Sequence, residues 1–218
     1  MSFGAQWGWL TLLLLGAYHG INPGMGWLFA VALGMQEKRR QAVARALLPI
    51  AIGHGAAIGA VVLAAGVAGA VVPVKLLKLP VAVVLLALGG YRLVRSRHPR
   101  WGGMQVGFRD LTIWSFLMAS AHGAGFMVLP VLLGMSAEGP GRYASTAEQH
   151  VHGNYLTDPR FSLAATAVHT LGYLLVTGVT AWLVYEKIGL AILRKAWLNL
   201  DLLWAAALIL TGVFTLFL

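Results

Sequence analysis

Long segments without a single charged residue recur along this chain, and they restrict the folds that it can adopt. The clearest are Ala56–Val72, Val81–Gly89 and Ala205–Leu218. A helix needs roughly 20 apolar residues to cross a hydrocarbon core of about 30 Å. Only 11% of the residues are charged, against roughly 25% in soluble domains. The sequence therefore predicts an all-α integral membrane protein in which residues 1–218 form one membrane domain.

Six hydrophobic segments are predicted to be spanning helices: Gln6–Met35, Ala46–Val72, Lys75–Val94, Leu111–Met135, Phe161–Tyr185 and Leu198–Leu218. The triplet Asn22, Pro23 and Gly24 stands near the centre of the first segment. Proline removes a backbone hydrogen bond and glycine tolerates unusual backbone angles. We therefore expect the first helix to be broken at this triplet, with Gly26 as part of the hinge. Pro130 is expected to open the fourth span in the same way.

The basic residues predict the orientation of the chain. With the N-terminus outside, twelve of sixteen fall in inner loops: Lys38, Arg39, Arg40, Arg45, Arg92, Arg95, Arg97, Arg100, Arg109, Lys187, Arg194 and Lys195. Four fall outside: Lys75, Lys78, Arg142 and Arg160. Cytoplasmic loops carry an excess of lysine and arginine. We expect a multi-pass protein of the cell membrane with both termini outside, basic loops in the cytoplasm and a hydrophilic outer loop at 136–160.

The net charge of +9 has the same explanation. Because the basic residues lie between hydrophobic segments, they follow the orientation rule of membrane proteins and do not indicate a nucleic-acid partner. The expected partners are the lipid bilayer and a small ion or solute. The sequence leaves open whether copies of the chain form a homo-oligomer. The absence of cysteine excludes thiolate metal sites and thiol redox chemistry.

The two halves of the chain, 1–100 and 101–218, resemble each other. Three pairs of segments align: Leu15–Gly20 with Met118–Gly123, Leu48–His54 with Leu163–His169, and Leu85–Gly90 with Ala207–Gly212. Three spans per half give the halves opposite orientations in the membrane. Inverted repeats with interrupted helices are a recurrent transporter architecture, and their binding sites lie near the midplane between the repeats. The prediction is six transmembrane helices in two inverted three-helix repeats.

Four histidines fall near the middle of predicted spans: His19, His54, His122 and His169. Polar side chains at that depth are costly and usually mark function. No carboxylate, lysine or arginine is expected at comparable depth. Neutral imidazole binds Zn, Cu, Ni and Co well, and methionine sulfur suits soft ions. The pattern predicts one midplane transition-metal site formed by the four histidines, with Asn22 and Met25 beside His19.

Other interpretations of these histidines remain open. They could be interhelical hydrogen-bond partners in a scaffold or assembly subunit, although such bonds contribute only about 0.6 kcal/mol on average. They could also ligate a haem or another metal centre in a membrane-embedded redox protein. An enzyme is not expected, because no nucleophile–base pair or carboxylate acid–base group is predicted at membrane depth. The outer-loop pair His150 and His152 is interpreted as part of a solvated loop, with a metal-gathering segment and a gate as the alternatives.

The stretch from Gly16 to Gly26, with His19 followed by the Pro23-Gly24 pair, resembles the first-helix motif of NicO-type nickel/cobalt exporters in the LysE transporter superfamily. His54, in the second predicted span, resembles a histidine that is often found at the corresponding position in that family. The chain departs from the family at Met25, where the nickel/cobalt proteins carry a further histidine. The resemblance implies a 3+3 helix fold. It also implies a transporter of a divalent transition-metal cation of the Ni, Co, Zn and Cu class, or of another small solute.

Overall fold

The computed structural model describes residues 3–94, 107–137, 155–188 and 200–217. The eight α-helices of these residues are α1 (Phe3–Ile21), α2 (Trp27–Glu37), α3 (Arg40–Val71), α4 (Val74–Val94), α5 (Phe108–Ala121), α6 (Ala124–Ala137), α7 (Pro159–Leu183) and α8 (Leu200–Phe217). Short turns of 3-10 helix at Pro23–Met25 and Tyr155–Thr157, and a π-helical turn at Val184–Ile188, complete them. No strand occurs in these ranges, and the all-α prediction is confirmed. His150 and His152, with most of the predicted outer loop, lie outside the described residues.

Three of these helical segments are long and apolar enough to cross a membrane: Arg40–Val71, Leu76–Val94 and Pro159–Lys187. The pair α5 and α6 passes the same test as one span bent by 58°, and Leu202–Phe217 is a shorter apolar helix. Large hydrophobic side chains such as Leu163 and Val67 point outward, 72% and 71% exposed. Such a surface suits lipid better than water. The helices are therefore compatible with membrane insertion.

The helices approach each other most closely through glycines. A Cβ added at Gly16 of α1 would lie 2.0 Å from the carbonyl oxygen of His169 in α7, and one at Gly172 would lie 2.2 Å from the carbonyl of Leu13. At Gly53 of α3 it would lie 2.2 Å from the carbonyl of Thr112 in α5. Small residues allow such backbone contacts, which drive helix association in membranes. Glycine therefore determines where α1 meets α7 and where α3 meets α5.

These contacts also give the helix directions. Gly16 lies against His169 and Gly20 against Tyr173, so α1 and α7 run parallel. Gly55 of α3 lies against Thr170 of α7, and the earlier residue Leu47 lies against the later residue Gly178, so these two helices run antiparallel. In the same way, Gly89 of α4 faces Ala205 and Ile209 of α8 while Leu85 and Leu86 face Gly212. Helices α4 and α8 are therefore also antiparallel.

The first hydrophobic segment is broken at the predicted triplet. Helix α1 ends at Ile21, and the side-chain oxygen of Asn22 accepts a hydrogen bond of 2.9 Å from the backbone N–H of Gly24. Residues Pro23–Met25 form a 3-10 turn, and Gly26 follows with a φ of +149° that favours glycine. Helix α2 then begins at Trp27. The polar turn replaces helical hydrogen bonds that proline and glycine weaken.

A second break lies directly beside His122, and its position differs from the expectation. Pro130 was expected to open the fourth span, but it lies inside the continuous helix α6. The chain bends between α5 and α6 instead, where Gly123 has a φ of +70°. Only a residue without Cβ adopts that angle readily. Pro130 is the seventh residue of α6, where it removes one backbone hydrogen bond without ending the helix, as prolines in membrane helices often do.

Candidate functional site

Three of the four predicted histidines form a compact cluster at the centre of the bundle. His19 of α1, His54 of α3 and His169 of α7 are all fully buried, with 0% exposed surface. The ring centroid of His19 lies 5.8 Å from that of His54 and 5.0 Å from that of His169. The rings of His54 and His169 are 5.6 Å apart and parallel within 6°. The structure thus brings together imidazoles from three helices that are far apart in sequence.

Close helix packing places these rings. The backbone contact at Gly16 brings α1 against α7 at the level of His169, one helical turn before His19. Tyr173, one turn after His169, stacks on His54 with ring centroids 3.8 Å apart and planes within 10°. Its hydroxyl donates a hydrogen bond to the backbone carbonyl of Met25 in the first break. Tyr173 therefore joins the cluster to the unwound segment.

The ring nitrogens of the cluster have few hydrogen-bond partners. In His19, Nδ1 lies 2.7 Å from the carbonyl of Leu15, so Nδ1 carries the proton and the Nε2 lone pair is left without a partner. Neither nitrogen of His54 or His169 makes a hydrogen bond to a described residue, although His169 lies near the carbonyl of Leu12. Each unsatisfied buried polar group costs about 1–3 kcal/mol. Five such nitrogens in one cluster suggest an external ligand.

His122 is also fully buried. The indole of Trp204 in α8 packs on both His19 and His122, with ring centroids 4.6 Å and 5.4 Å away. The Nδ1 atom of His122 lies 2.8 Å from the carbonyl of Met118, four residues earlier. His19 makes the same bond to Leu15. His19 and His122 therefore share a tautomer, and each bonds the carbonyl four residues earlier.

Asn22 and Met25 lie beside the cluster in roles that differ from those of side-chain ligands. Both are buried, at 7% and 1% exposure. The amide oxygen of Asn22 is occupied by the N–H of Gly24 and stabilises the turn. Met25 contributes its backbone carbonyl, which accepts the hydrogen bond from Tyr173. The unwound turn is thus joined to the cluster through Tyr173.

Side chains from neighbouring helices bind the carbonyls released at both breaks. At the first, the indole N–H of Trp27 donates to the carbonyl of Ile21 at 3.0 Å. At the second, Arg92 donates to the carbonyl of Ala121 at 2.8 Å and Trp204 donates to that of His122 at 2.8 Å. Interrupted helices are tolerated in membranes when their freed backbone groups are satisfied in this way.

Arg92 corrects the sequence analysis, which placed it in an inner loop and expected no cation beside the histidines. It belongs to α4, is only 7% exposed and reaches the carbonyl next to His122. Because Arg92 stands at the start of a run of basic residues, nothing in the sequence indicated that its side chain is buried. Tyr173 and Trp204 were also missed. A signal existed for Tyr173, because it follows His169 by four residues and so shares its helix face, whereas nothing local distinguishes Trp204.

The cluster fits a metal ion in the spacing of its rings but not in their orientation. Three imidazoles bound to one ion through N–M bonds of about 2.0–2.1 Å would have ring centroids about 5 Å apart. The observed separations are 5.0, 5.6 and 5.8 Å. As the side chains stand, however, no three histidines or acidic residues of the described chain could hold a common ion. Binding would require the rings to rotate so that nitrogens converge.

Comparisons with models of known protein families, with curated proteins and with solved structures found no match to this chain.

Proposed function

We propose that this chain is a six-span membrane transporter built from two inverted repeats and related to the LysE superfamily. Its spans would be α1 with α2, α3, α4, α5 with α6, α7 and α8. In the predicted orientation the first and fifth spans run inward and the second runs outward. The parallel packing of α1 with α7, and the antiparallel packing of α3 with α7 and of α4 with α8, have the required directions.

The packing pattern also supports the repeat. The first span crosses the fifth at Gly16, and the fourth crosses the second at Gly53. In the proposed repeat the first and fifth spans correspond to the fourth and second, so the two contacts are equivalent. Each broken span is interrupted close to a histidine that bonds the carbonyl four residues earlier. The first break begins three residues after His19, and the second begins at His122 itself. Breaks at matching positions of two repeats are the usual location of a transporter's binding site.

The proposed substrate is a divalent transition-metal cation of the Ni, Co, Zn and Cu class, or another small solute that accepts or donates bonds to imidazole. The observation that carries this proposal is the set of three fully buried, touching imidazoles with unsatisfied ring nitrogens. A metal ion would bind to their lone pairs. For His19 the N–H bond to Leu15 already directs the lone pair to Nε2, the arrangement typical of metal-ligating histidines.

Transport assays with purified protein in liposomes test this function. Liposomes containing the wild-type chain should accumulate Ni²⁺, Co²⁺ or Zn²⁺ faster than empty liposomes. His54→Phe should abolish the accumulation, because it removes both ring nitrogens while retaining an aromatic ring to stack on Tyr173. The double replacement of His150 and His152 by Phe is the matched control and should retain flux. If no ion is accumulated, or if His54→Phe transports normally, the proposed function is wrong.

The redox alternative makes a different prediction in the same preparations. A haem or redox-active metal centre absorbs visible light as purified, and its spectrum changes on reduction. The transporter is expected to show no such absorbance before Co²⁺ or Ni²⁺ is added. Spectra of the purified protein, recorded before and after dithionite, therefore distinguish the two functions.

A further inference from the structure

Trp204 packs against two histidine positions, His19 and His122. Its indole is 2% exposed and meets the rings of His19 and His122 edge to face, at interplanar angles of 84° and 79°. Tyr18 stacks on it with centroids 5.1 Å apart and planes within 5°. An indole offers one N–H donor and no acceptor, so it cannot ligate a metal ion. The two imidazole positions therefore share a neighbour that cannot ligate the substrate ion.

The position of the indole depends on the second break. The Nε1–H group of Trp204 donates to the backbone carbonyl of His122, which the break between α5 and α6 has released from helical bonding. Any change in the bend at Gly123 moves this carbonyl and therefore strains or releases the hydrogen bond. On the other side, Tyr18 of α1 stacks on the indole and donates from its hydroxyl to the carbonyl of Leu203 at 3.3 Å. Trp204 is thus held by both halves of the chain.

We infer that Trp204 is a gate that separates the three-histidine cluster from His122, and that its displacement opens the passage between these two binding positions. This inference rests on the proposed transport function and specifies how the substrate moves between the halves. The indole blocks the direct path while its N–H is bonded to His122. Bending of the second broken span breaks that bond, and the ring moves aside. Trp204 is in this sense a positioning residue that controls passage without binding the substrate.

The gate can be tested by measuring from which side of the membrane a reagent reaches residue 122. The chain has no cysteine, so His122→Cys gives a single thiol. A small, membrane-impermeant thiol reagent is added to right-side-out and inside-out vesicles. With Trp204 present, the thiol should react from one side at most. With Trp204→Ala, reaction from the second side should accelerate at least about tenfold, which corresponds to a barrier lowered by about 1.4 kcal/mol.

A matched variant and a conservative variant make the result decisive. Trp114→Ala removes an indole of the same size from α5, where it packs on Phe29 rather than on a histidine, and it should leave the sidedness unchanged. Trp204→Phe keeps an aromatic ring but loses the bond to His122, so it should raise the second-side rate less than alanine does. It also provides the test if the alanine variant does not fold.

Two outcomes would overturn the gate: reaction from both sides with Trp204 present, or a second-side rate that neither Trp204 variant raises. This labelling is independent of metal flux. A wild-type chain that transports no metal would refute the proposed function, while the sidedness of labelling would still decide whether Trp204 closes the passage.

Discussion

Replacing Gly16 by alanine should separate the histidines by forcing two helices apart. The new Cβ would stand 2.0 Å from the carbonyl oxygen of His169, whereas ordinary van der Waals contact begins at 3.4 Å. The backbones of α1 and α7 must therefore separate by 1.4 Å (3.4 minus 2.0) at this point. His19 lies one turn away on α1, so its ring should move from the ring of His169, now 5.0 Å distant.

The expected magnitudes follow from this displacement. Overpacking of a tight contact costs about 1–3 kcal/mol, and a misplacement of about 1 Å in a positioned site can cost about a hundredfold in function. Gly16→Ala should thus lower both the stability of the protein and its affinity for Co²⁺. Gly59→Ala is the matched control, because no atom lies within 4 Å of its added Cβ. In that variant alanine should stabilise the helix by up to about 1 kcal/mol and leave affinity unchanged.

The assay compares thermal unfolding of both variants in detergent with Co²⁺ binding followed by equilibrium dialysis. Because both glycines lie inside helices, alanine gains the same helix propensity at each, and the two variants should differ by the cost of overpacking alone, about 1–3 kcal/mol. Equal stabilities would contradict the packing of α1 on α7. Lower stability of Gly16→Ala with normal Co²⁺ affinity would contradict the link between that packing and the site.

Three further predictions follow from the same geometry. Tyr173→Phe removes the hydrogen bond to the carbonyl of Met25 but keeps the ring on His54, so it should reduce the maximal transport rate more than the Co²⁺ affinity, as flux and dialysis measurements can verify. Metal binding should weaken progressively as the pH is lowered, because a protonated imidazole has no lone pair for a metal; a pH titration of bound Co²⁺ that is flat or rises towards acid would speak against histidine ligands. Finally, an impermeant reagent applied to intact cells should label Ser145→Cys but not Gln36→Cys; the reverse pattern would invert the predicted orientation.

The helices could be predicted from sequence because their signals are local. Uninterrupted apolar segments located α3, α4 and α7 to within about six residues at each end. The break at Pro23 was equally predictable, since proline and adjacent glycines weaken a helix wherever they stand. At Pro130 the same reasoning was wrong, because α6 continues through the proline and the chain bends instead at Gly123, whose φ is positive.

The detailed arrangement of the site could not be predicted, because it depends on how helices cross. The sequence indicated four central histidines, yet whether a ring meets its neighbour depends on close approaches such as that at Gly16. The contact between His122 and Trp204 has no counterpart in spacing or composition. Arg92 was assigned to a loop because the orientation rule counts basic residues near span ends without distinguishing buried from exposed ones.

X-ray absorption spectroscopy of the metal-loaded protein tests the central claim most directly. The chain is purified in detergent, loaded with Ni²⁺ or Co²⁺ and compared with His54→Phe. The account predicts about three imidazole nitrogens near 2.0–2.1 Å from the metal, a distance range known for histidine-bound zinc, and loss of bound metal in His54→Phe. A wild-type protein that binds neither ion, or one whose bound metal lacks imidazole scattering, would contradict the claim that His19, His54 and His169 form a substrate site.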